Sequence, residues 1–139
     1  MAPWATAKRS ISIIVRRHGM PLTSPHGPEA LEWLRNNKSA SGFAGNRFDS
    51  TQAAIIFVEE VYAAGASRAF IPDDAIRADP TEVRESGGPY ADAMVIELPE
   101  TGREALYRLF EREAVLEGYD DMKGDQSVID GRYLYLWWD

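Results

Sequence analysis

Apolar side chains recur along the chain at two spacings, and those spacings divide it into helical and extended stretches. Ile11-Ser12-Ile13-Ile14-Val15 is short and β-branched, which predicts a strand. Met20–Pro28 holds three prolines and Gly27, so it reads as loop. Pro28 suits the first position of a short helix running to Asn36 or Asn37, with Leu31, Trp33 and Leu34 along it. Lys38–Gly45 is a polar connection, and Arg47-Phe48 is expected to form a short strand.

The clearest helix begins at Asp49 or Ser50, either of which can cap it. Ala54, Phe57, Val58, Val61 and Tyr62 recur at three and four residues and mark a buried stripe, which Ile55 and Ile56 broaden. Gly65 supplies the stop. Arg68-Ala69-Phe70-Ile71 then reads as a strand ended by Pro72. Asp73–Pro89 is a long polar excursion with a helical turn expected near Thr81. Asp92–Leu98 alternates as a strand. A second helix opens at Thr101, with core positions Leu106, Leu109, Phe110 and either Ala114 or Val115, and ends at Gly118. Asp120–Gly131 is an acidic connection, and Arg132–Trp138 is the last strand.

From Arg47 onward the predicted order is β-α-β-β-α-β. That order resembles the ferredoxin-like sandwich, an antiparallel sheet with two helices on one face. The expected fold is therefore α+β: a ferredoxin-like core over residues 46–139, and an N-terminal extension over residues 1–45 (strand, loop, short helix) packed on the same single domain. The resemblance brings no activity, because that fold hosts many functions.

The alternation has a consequence for surface chemistry. Leu134, Leu136 and Trp138 fall on one side of the last strand, and Tyr133, Tyr135 and Trp137 on the other. Met94, Ile96 and Leu98 likewise oppose Ala93, Val95 and Glu97. If the leucine and Met94 sets pack on the helices, Tyr133, Tyr135 and Trp137 form an aromatic stripe on the opposite face. These three are the candidate binding residues. Three coverings of such a face are open: the N-terminal segment with Trp4 and Ile11–Val15, a second copy in a homodimer, or another molecule.

Composition narrows the function classes. With 139 residues, 45 % hydrophobic and 27 % charged, the chain belongs with globular proteins of one domain. It contains no cysteine, so disulfides, thiolate metal sites and a cysteine nucleophile are excluded and no oxidising compartment is needed. No apolar run approaches a membrane span, and Arg16-Arg17 follow the N-terminal strand where a cleavage site would stand, so a cytoplasmic protein without membrane contact is expected. The formal net charge is −7. Residues 1–50 carry seven basic and three acidic side chains, and the remainder carries eight and nineteen. An acidic body disfavours nucleic acid and favours a basic protein partner.

Catalytic signals are sparse. Asp73-Asp74, Asp92 and Glu97 are the candidate carboxylates. Asp92 and Glu97 are the candidate acid–base residues of a small enzyme or ligand-binding protein, in a pocket between the aromatic face and the Asp73–Pro89 excursion. Asp120, Asp121, Asp125 and Asp130 lack the spacing of a calcium loop, and neither a metal site nor a cofactor is expected. Arg112 with Glu113 reads as ordinary pairing on an exposed helix face. Arg17-His18-Gly19, directly after a strand, resembles the N-terminal signature of the histidine phosphatase family, in which that histidine is phosphorylated. Pro21-Leu22-Thr23 with Gly27 is similar to a further segment of the family. The resemblance implies a second histidine late in the chain to complete the phosphate pocket. The only other one is His26, eight residues on. The leading expectation is a non-catalytic interaction module working through the aromatic face.

Overall fold

The computed structural model describes residues 26–116, 128–129 and 131–138. Helix α1 (Ala30–Asn36) is capped by Glu29, whose carboxylate accepts from the amides of Leu31 and Glu32 at 3.0 and 2.8 Å. Pro28 therefore precedes the helix rather than opening it. Its carbonyl accepts instead from Ile71 N at 2.9 Å. Helix α2 (Thr51–Ala63) is capped by Ser50, whose hydroxyl accepts from Ala53 N at 3.0 Å. Ala54, Ile55, Phe57, Val58 and Val61 are buried, as their spacing predicts. Ile56 does not join that face and is 58 % exposed. Gly65, at φ 112°, closes the helix in the left-handed region.

The excursion after β1 (Arg68–Phe70) makes a 3-10 turn at Asp73–Ala75 and then α3 (Pro80–Ser86). Pro80 opens that helix behind the Asp79 cap, and Gly87 closes it. Strand β2 (Ala93–Glu97) leads to α4 (Glu104–Leu116), then to β3 (Val128–Ile129) and β4 (Tyr133–Trp137). In α4 the buried face runs through Leu106, Leu109, Phe110, Glu113 and Ala114, while Val115 is exposed.

The sheet is antiparallel throughout, in the order β1-β2-β4-β3. The architecture is α+β, but the described strands do not form the expected ferredoxin-like order. The strand expected at Arg47-Phe48 is a turn, because both amides bond to the carbonyl of Ala44, at 2.8 and 2.9 Å. Phe48 is spent on packing: its ring lies 5.2 Å from Phe57 and 5.4 Å from Trp138, centroid to centroid. The central slot that such a first strand would fill is closed, since β2 pairs β4 directly from Ala93↔Trp137 to Glu97↔Tyr133.

One face of the sheet carries the helices. Ala69, Met94, Ile96, Leu134 and Leu136 join the buried residues of α1, α2 and α4 in one core. Ala30, Leu34, Phe43 and Ala44 belong to that same core, so the chain from residue 30 onward packs as part of it. Trp138 is sealed among Phe43, Phe48 and Phe57 in edge-on contacts of 5.4–5.7 Å. The strand expected at Ile11–Val15, the Arg17-His18-Gly19 motif and the acidic connection from Asp120 to Asp125 lie outside the described residues.

Candidate interaction surface

Alternation along three paired strands builds the second face of the sheet. The registers set Phe70, Val95 and Tyr135 in one row across it. A second row, at one end, joins Arg68, Glu97 and Tyr133, and a third, at the other end, joins Ala93 and Trp137. Tyr133, Tyr135 and Trp137 therefore share one face, as their spacing predicts. Phe70 meets Tyr133 edge-on at 6.4 Å. The Arg68 guanidinium lies 4.6 Å over the Phe70 ring and donates to Gly27 O at 2.8 Å, while Arg132 lies 5.7 Å over Tyr133.

This apolar layer is small but well buried. Phe70, Ala93, Val95 and Tyr135 are all at most 3 % exposed, with Ala75 of the 3-10 turn packed beside them. Tyr133 and Trp137 are half-buried at its two ends. Carboxylates border it: Glu97 on the face itself, and exposed Asp73 and Asp74 next to Ala75.

Asp92 and Glu97 are not brought together. They are five residues apart along an extended strand, hence on opposite faces and separated by about 16 Å. Asp92 is held by Arg77 at 3.0 Å, away from the aromatic face. A cavity of about 410 Å³ does exist, but within the excursion rather than between it and the aromatic face. Arg77, Glu82, Glu85, Ser86, Gly88 and Tyr90 line it. Arg77 and Tyr90 bond backbone to backbone in both directions at 2.7 and 2.9 Å, and the guanidinium stacks 5.0 Å over the Tyr90 ring. Asn37 anchors the far wall, donating to Pro89 O at 2.8 Å. Gly88 fits there only without a side chain, since a Cβ would stand 2.0 Å from Asn37 Oδ1.

No protein-family model matches the chain, and no curated protein or solved structure matches it either. The chemistry is therefore read from the side chains alone. Among the described residues, no group of three His, Asp or Glu is placed to hold a metal ion. No helix among them is long and apolar enough to cross a membrane. His26 is exposed at the start of the described chain, and its carbonyl accepts from Asp73 N at 2.9 Å.

The pattern of apolar and polar residues misplaces one charged group. Glu113 is only 1 % exposed. Its carboxylate accepts from Arg47 Nε and Nη2 at 2.7 and 2.8 Å, from Arg112 Nη2 at 3.1 Å and from Trp138 Nε1 at 3.2 Å. Arg112 also reaches Glu60 through both Nη atoms, at 2.8 and 3.0 Å. Burial by itself would push the Glu113 carboxyl up, but the hydrogen bonds and charge of Arg47, with Trp138 and Arg112, hold it below the usual carboxylate range. A carboxylate pinned in its charged form by two guanidinium groups is a structural anchor and not a proton donor. The signal was present in the sequence: Glu113 continues the 106, 109, 110 series at a core position.

Proposed function

We propose that the protein is a non-catalytic interaction module that docks a basic, partly β-branched segment of a protein partner on its aromatic sheet face. One observation carries this reading: the half-buried rings of Tyr133 and Trp137 flank a buried apolar layer of Phe70, Val95 and Tyr135, with Arg68 and Arg132 stacked on two of the rings and the carboxylates of Glu97, Asp73 and Asp74 nearby. Aromatic anchors ringed by charge are what a hot spot needs, and carboxylates select a cationic partner. The same reading takes the protein to be cytoplasmic.

The test uses a defined probe, an eight-residue peptide of alternating lysine and isoleucine, titrated calorimetrically into the full chain. Binding is expected, and Asp73→Lys with Asp74→Lys should weaken it at least about tenfold, the equivalent of 1.4 kcal/mol. Equal affinity in that variant sinks the proposal. Light scattering on the same samples reports whether a second copy takes the face instead.

A further inference from the structure

We propose that the cavity between α3 and the paired Arg77 and Tyr90 segments binds a small aliphatic diamine, a function separate from the docking of a partner on the sheet face. The first observation is the side that α3 turns towards the cavity. A surface helix normally buries an apolar stripe, yet α3 buries no residue at all. Glu82, Glu85 and Ser86 are three and four residues apart, so they share one side of the helix, and that side lines the cavity. With two carboxylates and a hydroxyl there, the helix does not close onto the protein. About 410 Å³ stays open between them and Tyr90, within the roughly 300–1,000 Å³ of small-ligand sites.

The second observation is charge. Arg77 is the one cation of the wall, but its Nη2 is bonded to Asp92 at 3.0 Å and its guanidinium lies 5.0 Å from the centre of the Tyr90 ring. Arg84, on the same helix, donates to Thr81 Oγ1 at 3.3 Å. The side chains of Glu82 and Glu85 are left with no hydrogen-bond or ion-pair partner among the described residues. With Asp92 set against Arg77, the site holds two negative charges that nothing compensates. A ligand with two positive charges matches it. Side chains three apart on a helix have their Cβ atoms about 5–6 Å apart, and a four-carbon chain sets two ammonium nitrogens at a similar separation. Each ammonium carries only donors and each carboxylate only acceptors, so both ends form charge-assisted hydrogen bonds.

The third observation is that the wall facing the helix is fixed before any ligand arrives. Tyr90 is bonded to Arg77 through its backbone in both directions, at 2.7 and 2.9 Å, and its hydroxyl accepts from Gly45 N at 2.9 Å. The neighbouring Ala44 is buried at φ 41°, a left-handed conformation that alanine rarely adopts. It is held there because Ala44 N donates to Ala91 O at 2.8 Å and Gly42 O accepts from Ala91 N at 3.1 Å. Strain kept in place by this many bonds marks a preorganised wall, which lowers the ordering cost of binding.

The test is a calorimetric titration of 1,4-diaminobutane into the full chain at low ionic strength. One molecule is expected to bind per chain, and Glu82→Gln with Glu85→Gln should weaken it at least about tenfold. Glu100→Gln with Glu104→Gln removes the same charge from exposed positions outside the cavity and should leave the affinity unchanged. Butylamine, with a single ammonium, should bind at least about tenfold more weakly than the diamine. Absence of diamine binding overturns the proposal. Equal losses in the two double variants also overturn it, because the attraction then belongs to the overall negative charge. Butylamine binding as tightly as the diamine removes the two-charge match and overturns it as well.

Discussion

The two faces of the sheet are made from alternate residues of the same strands, yet they solve different problems. On the helix-bearing face, Met94, Ile96, Leu134 and Leu136 meet three helices and are buried by described neighbours. Its one charged intruder, Glu113, is fully satisfied by Arg47, Arg112 and Trp138. On the other face, small Ala93 and Val95 alternate with large Phe70, Tyr135 and Trp137, Arg68 stacks over Phe70, and Glu97 stands in the same end row as Tyr133. The contrast teaches where charge is tolerated. A buried charge must bring its counter-charges with it, whereas a border charge keeps its water and selects a partner.

The comparison breaks most severely at Glu113. Glu113→Ala leaves the Arg47 guanidinium facing the aromatic cluster without its carboxylate, and should cost about 3–5 kcal/mol in urea unfolding. A loss below about 1 kcal/mol would mean that the anchor is not as structural as its geometry implies.

A matched pair of truncations sharpens it further. Leu134→Ala, on the helix-bearing face, should cost about 2–5 kcal/mol while leaving peptide affinity unchanged in the folded fraction. Trp137→Ala, on the half-buried end of the other face, should cost about 1 kcal/mol and yet weaken the peptide strongly. Equal stability losses would erase the distinction between the faces.

Mild acidification gives the smallest effect. Against the opposing pull of burial, hydrogen bonds and arginine charge hold the carboxyls of Glu113, Glu60 and Glu29 below their ordinary range. Groups whose folded pKa is lowered give stability that is fully present above the unfolded value, about 4.3, and is lost as pH falls through the folded value. Thermal unfolding should therefore stay nearly flat from these groups between pH 7 and about 5, and begin to decline below about 4.3. A decline that starts near pH 6 would assign the sensitivity to other groups.

Much of this arrangement was legible in the residues. Period-two alternation in 92–98 and 132–138 assigned the correct face to Tyr133, Tyr135 and Trp137, because a side chain in a strand has only two directions to choose from. The three- and four-residue spacing placed α2 and α4 for a similar reason. What failed was long-range. Pairing between β2 and β4 depends on which strand outcompetes another for the same hydrogen bonds, and two residues at Arg47-Phe48 carry no record of that contest. The core position of Glu113 follows from the helical spacing, but its partners Arg47 and Trp138, 66 and 25 residues away, are not legible in that spacing. Asp92 and Glu97, the two candidate acid–base residues, stand on opposite faces because five residues of extended strand reverse the direction of the side chain.

Trp137 and Trp138 are adjacent in the chain and lie on opposite faces, so one spectrum reads both. The indole N–H signals of the isotope-labelled full chain can be followed while the lysine–isoleucine peptide is added. The account predicts that the Trp137 signal moves and saturates, while the Trp138 signal, fixed by its bond to Glu113, stays in place. A Trp137 signal that does not move, or a Trp138 signal that moves with it, would contradict the assignment of the aromatic face as the surface that takes a partner.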